Sequence, residues 1–151
     1  MVITCSDTRT PDTDTSGQLI QKLLTDQGHS VVGYHVIKDD PGQILFRVAQ
    51  GASNNAIQAI IVNGGTGISR RDSTFEAIDG LLEKRLSGFG EIFRLLTYQE
   101  IGSSAIMSRA TAGIVKGCIV FSIPGSENAV RLAMHKLILP ELGHLVGELA
   151  K

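Results

Sequence analysis

The sequence predicts a three-layer α/β sandwich with a mainly parallel sheet and an antiparallel hairpin added to it. Short apolar runs alternate with stretches of helical periodicity as far as about residue 100. Two further apolar runs, Thr111–Val115 and Cys118–Ile123, are separated only by Lys116-Gly117, the spacing of a tight hairpin. Polar and glycine-rich loops follow strands, so a doubly wound sheet gathers them along one edge, where such sheets bind ligands. A chain of 151 residues suits one domain, 1–151, with a substantial core.

Residues 1–5 read as the first strand. The loop that follows contains Ser6, Asp7 and Thr8, placed to touch a ligand at a strand end. Residues 15–27 carry Leu19, Ile20, Leu23 and Leu24 on one helical face, and Gly28 stops the helix. Residues 30–37 are rich in Val and Ile and predict a strand. Lys38-Asp39-Asp40-Pro41-Gly42 reads either as a turn or as a pair of carboxylates, Asp39 and Asp40, set to hold a cation. Residues 43–54 form the second helix, with Ile44, Leu45, Val48 and Ala52 at helical spacing.

Residues 59–62 are the third strand. They lead into the most informative stretch of the chain, Gly64, Gly65, Thr66 and Gly67, then Ser69, Arg70, Arg71 and Asp72. Ser73-Thr74-Phe75-Glu76 reads as the capping box of the helix after it. A strand, a glycine turn and a helix N-terminus make an anion site: backbone N–H groups are unpaired there and the helix dipole is positive. Arginines suit phosphate, and Asp72 beside a phosphate suits a divalent cation between them. Ser87-Gly88-Phe89-Gly90 breaks the helical pattern, and residues 91–96 restart a short apolar helix that covers the core or faces another subunit. Residues 101–110 are rich in hydroxyls and end in Ser108-Arg109. Pro124-Gly125-Ser126 turns the last strand into a helix from Glu127, which Pro140 ends or kinks.

Composition narrows the function. A net charge of −1 and a pI near 6.4 argue against a nucleic-acid surface, as do 5% aromatics with no Trp. No apolar run reaches the ~18 residues that span a bilayer. Cys5 and Cys118 have no metal-like spacing and read as reduced core thiols, which places the chain in the cytoplasm. The phosphate-loop pattern GxxxxGK[ST], the dinucleotide pattern GxGxxG, the GxSxG elbow and HExxH are all missing, and the four histidines are scattered. The chemistry left is electrostatic: phosphates on glycine turns and a metal on aspartates, which suits phosphoryl or nucleotidyl transfer.

Gly64-Gly65-Thr66-Gly67 with Arg71-Asp72, the early Ser6-Asp7, Ser108-Arg109 and the late Pro124-Gly125-Ser126 occur in an order that resembles the MoaB/MogA family of molybdenum cofactor biosynthesis. Gly88-Phe89-Gly90-Glu91 and Leu137-Ile138-Leu139-Pro140-Glu141-Leu142 resemble the MoaB branch more closely. The resemblance spans nearly the whole chain. It implies a molybdopterin-binding fold and adenylylation of molybdopterin by Mg-ATP, which activates the pterin for metal insertion. A non-catalytic molybdopterin-binding or carrier protein of the same pathway is the alternative. By position, Gly64, Gly65, Thr66 and Gly67 would hold the pterin's phosphate and dithiolene end. Asp39 and Asp72 would be the catalytic carboxylates serving Mg²⁺, with Asp40 an adjacent candidate for the same metal. Ser108 would contact the pterin, and Ser6, Asp7, Pro124, Gly125, Ser126 and Arg71 would complete the substrate sites. The resemblance also implies a homo-oligomer, trimer or hexamer, and contacts with other proteins of the pathway.

Overall fold

A computed structural model describes residues 1–151. Six strands form one sheet: β1 (Val2–Cys5), β2 (Tyr34–Ile37), β3 (Ala59–Asn63), β4 (Lys84–Arg85), β5 (Thr111–Val115) and β6 (Cys118–Ile123). Their order is β2-β1-β3-β6-β5-β4. The first four in that order run parallel, and β5 and β4 add antiparallel to β6. The helices are α1 (Thr15–Asp26), α2 (Pro41–Ala52), α3 (Thr74–Leu81), α4 (Ser87–Ile101), α5 (Glu127–Ala133) and α6 (Leu139–Leu149).

The inner strands β1, β3 and β6 are buried on both faces, so they are almost continuously apolar. Alternate side chains feed two cores. Val2, Ile61, Ile119, Phe121 and Ile123 meet Ile20 of α1, Phe93 of α4, Val130 of α5 and Leu142 of α6. Ile3, Ile60, Val62 and Val120 meet Ile44 and Val48 of α2 and Ile78 of α3 on the other face. This is the expected three-layer arrangement. Neighbours on opposite sides of β1 connect in opposite directions, β1 to β2 and β1 to β3. The loops after β1 and β3 therefore flank a topological switch point.

Several boundaries differ from the sequence expectation. β2 covers only 34–37, because β1 pairs with it from Val2 onward and residues 30–32 have no strand beside them. Both hairpin strands fall where the spacing put them, and β4 is an addition too short to show a period. α2 starts at Pro41 rather than Gln43: Asp40 is its N-cap and accepts the Gln43 N–H at 2.9 Å, with Pro41 in the first turn. The break predicted at 87–90 falls earlier, at 82–86, where β4 lies. α4 runs through both glycines for 15 residues, and a Cβ on Gly90 would lie 2.5 Å from the Ala110 carbonyl. Gly90 is therefore a close approach of α4 to the main chain just ahead of β5, not a breaker. After α5 a π-helical stretch, Met134–Ile138, loosens the turn before Pro140 enters the start of α6. Cys5 and Cys118 are buried free thiols.

Candidate functional site

The strand ends β1, β3 and β6 open onto one polar pocket of about 510 Å³. Ser6, Gly64, Gly65, Thr66, Gly67, Asp72, Ser108, Pro124, Gly125 and Ser126 all line it. The structure thus brings together residues that the sequence spreads over 120 positions. Asp7, Asp39, Asp40 and Arg71 do not line it. Asp40 is committed to capping α2, and Arg71 is exposed on the loop tip.

The floor of the pocket is main chain. Gly64 has φ +99°, and a Cβ there would strike the Cys5 carbonyl. Gly65 has φ +61°, and its Cβ would strike Asp39 and Thr74. Gly125 approaches from β6, its Cβ position only 3.0 Å from the Gly64 Cα. The N–H groups of Gly65, Thr66, Gly67 and Ile68 donate to nothing within the chain. They form a ready nest for an anion.

Arg109 fixes their direction. Its Nε donates to the Thr66 carbonyl at 2.9 Å and its Nη2 to the Gly67 carbonyl. Across a trans peptide the following N–H points the opposite way, so the Gly67 and Ile68 N–H groups face away from Arg109. Nη1 pairs with Glu76, and the guanidinium lies 4.8 Å over the Phe75 ring. The hydrogen bond from Arg109 outweighs a small burial effect and holds the Glu76 carboxyl below its ordinary value. The sequence placed Arg109 only as the second half of a Ser-Arg pair.

Asp39 sits beneath the glycine loop. One of its oxygens accepts from the Ser73 N–H at 3.2 Å, the Ser73 hydroxyl at 2.7 Å and the Thr74 hydroxyl at 3.1 Å. The Asp39 N–H in turn donates to Asp7 at 3.3 Å. The predicted capping box is therefore absent. The Ser73 hydroxyl turns to Asp39 and the Glu76 carboxylate to Arg109, because each finds a full opposite charge or a charged acceptor rather than a backbone group. Asp72 accepts the Ser69 N–H at 2.9 Å and lies against Gly67, closing the loop into a hook. No set of three or more His, Cys, Asp or Glu side chains comes close enough to hold a metal by itself.

Arg9 also lines the pocket, and nothing in its turn-rich surroundings marked it in the sequence. Its guanidinium is 3.3 Å from Asp14, which is completely buried. Asp14 accepts as well from the Gly17 N–H at 3.0 Å and the Tyr34 hydroxyl at 2.6 Å. Burial alone would raise the Asp14 carboxyl; hydrogen bonds from Thr4, Tyr34, Gly17 and Arg9 outweigh it and hold the group below its ordinary value. Burial and the bond to Asp14 push the Tyr34 hydroxyl up. Asn63 joins this network by donating to Thr4 at 2.8 Å. Arg9 is thus a cation held at the pocket wall by a buried counter-charge.

Fold and site together define an α/β protein with a polar crevice, floored by unpaired backbone N–H groups, at the switch point of its sheet. Residues 1–144 match the family described as a probable molybdopterin binding domain. Molybdenum cofactor biosynthesis protein B of Bacillus cereus is 52% identical over 149 residues, covering 98% of this chain and 88% of that protein. A crystal structure of molybdenum cofactor biosynthesis protein B superposes with a TM-score of 0.96 at 52% identity, over 99% of this chain and 93% of the other. That of the tungsten cofactor synthesizing protein MoaB from Pyrococcus furiosus gives 0.87 at 37% identity, over 99% and 95%. The chain belongs to the MoaB/MogA family of molybdenum cofactor biosynthesis proteins, on its MoaB branch.

Proposed function

We propose that the crevice binds molybdopterin and that the chain adenylylates it with Mg-ATP. The observation that carries this reading is the row of unpaired N–H groups at 65–68, aimed by Arg109 and flanked by two aspartates. In the reaction an oxygen of the terminal phosphate of molybdopterin attacks the α-phosphorus of ATP. A P–O bond forms there, the bond to the β-phosphate oxygen breaks, and pyrophosphate leaves. The nest holds the pterin's phosphate. Ser6, Ser108 and Ser126 bond the polar edges of the substrates, Pro124 and Gly125 shape the wall, and Arg9 takes part of the developing negative charge.

The donor set fits Mg²⁺. This ion is commonly held by one or two carboxylates together with substrate phosphates, not by an all-protein cage. Asp39 keeps one oxygen without a hydrogen-bond partner and so does Asp72. Asp39 and Asp72 would hold Mg²⁺, which would supply neutralisation of phosphate charge. Of the two adjacent carboxylates, Asp39 supports the role and Asp40 serves the helix cap.

The exposed apolar side chains Ile92, Leu95, Tyr98 and Ile101 of α4, with Ile106 and Met107 just after it, support a homo-oligomer, trimer or hexamer. Met107 also lines the crevice, so that face adjoins the substrate site. No helix is long and apolar enough to cross a membrane, and we place the reaction in the cytoplasm with the other steps of the pathway.

The test is AMP transfer to molybdopterin by purified protein with ATP and Mg²⁺, beside Asp39→Asn and Asp72→Asn. Turnover in the wild type that falls by about 100-fold or more in each variant, with folding intact, is the expected result. Molybdopterin binding without any AMP transfer would refute catalysis and leave a binding or carrier protein of the same pathway.

A further inference from the structure

Ser16 stands in the first turn of α1, behind the crevice and outside its lining. It is completely buried. Its hydroxyl donates to the Gly125 carbonyl at 2.7 Å, a partner 109 residues away in the chain. A serine near the start of a helix ordinarily serves its own backbone, as a cap or by bonding back one turn. Here the cap is Asp14, and the single proton of the Ser16 hydroxyl goes to another loop.

The Gly125 carbonyl has no other partner within the chain. Pro124 ahead of it offers no N–H, and Gly125 has no side chain to restrict its backbone. The peptide that joins Gly125 to Ser126 is held from two sides. Gly64 lies against Gly125, with 3.0 Å between the Gly125 Cβ position and the Gly64 Cα, and Ser16 grips the carbonyl. Across that trans peptide the Ser126 N–H points away from Ser16 and α1. It donates to nothing within the chain, and Ser126 lines the crevice.

The turn that carries Ser16 is itself fixed. Asp14 accepts the Gly17 N–H at 3.0 Å, and a Cβ on Gly17 would strike Asp14 and Thr4. The same Asp14 holds Arg9 at the crevice wall. One turn of α1 thus sets two crevice donors at once, the Arg9 guanidinium through Asp14 and the Ser126 N–H through Ser16.

We propose that Ser16 is a positioning residue of the crevice: its hydroxyl turns the Gly125–Ser126 peptide so that the Ser126 N–H donates to a phosphoryl oxygen of the guest seated on the 65–68 loop. The role rests on the reading of the crevice as a phosphate site and does not require AMP transfer.

The test is a titration of the isotope-labelled full chain with inorganic pyrophosphate, followed amide by amide by NMR, beside Ser16→Ala. In the wild type the Ser126 amide proton moves downfield together with those at 65–68. In Ser16→Ala the affinity falls by about tenfold and the Ser126 response at saturation is lost, while the amides at 65–68 respond as before. A serine that only stabilised the fold would lower Tm and weaken all these responses alike, and that pattern overturns the proposal. So does a wild type that responds at 65–68 but not at Ser126, or a Ser16→Ala chain that keeps both the affinity and the Ser126 shift. Should Ser16→Ala not fold, the wild-type Ser126 response settles the matter by itself. A wild type that binds no pyrophosphate at about 1 mM refutes the phosphate reading of the crevice and the role of Ser16 with it. Binding through Ser126 without AMP transfer supports the role of Ser16 and refutes catalysis alone.

Discussion

Replacing Arg109 by lysine separates its charge from its geometry. The guanidinium serves the Thr66 and Gly67 carbonyls and Glu76 together, and it stacks on Phe75. A single ammonium reaches one of these groups and loses the planar fork. A hydrogen bond to a charged group contributes about 1.5–3 kcal/mol, and 26% exposure of the Arg109 side chain puts this one at the low end. The lost stacking adds about 0.5 kcal/mol. The sum, about 2 kcal/mol, lowers Tm by about 4–8 °C for a chain of this length. With the carbonyls released, the N–H groups at 67 and 68 turn freely, and affinity for inorganic pyrophosphate, a probe of the nest, falls by about tenfold. Differential scanning calorimetry and titration calorimetry read the two effects. Glu76→Gln is the control: its side chain is 59% exposed, so it changes stability by less than about 0.5 kcal/mol and leaves pyrophosphate binding unchanged. A lysine variant with wild-type Tm and wild-type affinity would refute the assignment of Arg109 as the residue that aims the loop.

The buried Asp14 gives a pH prediction. Its folded carboxyl titrates below its unfolded value, so its stabilisation is full above about pH 4 and is lost as pH falls through the folded value. Asp14→Asn destabilises the chain at pH 7 by about 2–3 kcal/mol and flattens the acid limb of a denaturant-midpoint profile; an unchanged limb would mean that Asp14 carries no such charge. Asp40→Ala removes the α2 cap, costs about 1 kcal/mol by thermal unfolding and leaves AMP transfer at the wild-type rate. Loss of transfer in a folded Asp40→Ala chain would instead move the metal role from Asp39 to its neighbour.

Much of the fold could be read because its signals are local. Leu19, Ile20, Leu23 and Leu24 mark a helix by spacing alone, and Lys116-Gly117 marks a hairpin by turn chemistry, with Lys116 and Gly117 both at positive φ. The crevice was legible for a related reason: its floor is built of glycines next to strand ends, a pattern visible in one dimension. What escaped depends on partners distant in the chain. Gly90 looks like a breaker until Ala110 stands beside it. Ser73 and Glu76 look like a capping box until Asp39 and Arg109, 34 and 33 residues away, claim them. Arg9 gains its place from Asp14 and Tyr34, and neither residue type announces a buried carboxylate. β2 is short for want of a strand beside residues 30–32, a property of its neighbour and not of its own sequence.

The crevice floor has a consequence for proton balance. Peptide N–H groups do not titrate. A phosphate ester has its second ionisation near pH 6. Between about pH 6 and 9 the nest therefore presents a constant positive potential, and any change in affinity across that interval reports the charge state of the guest rather than of the host.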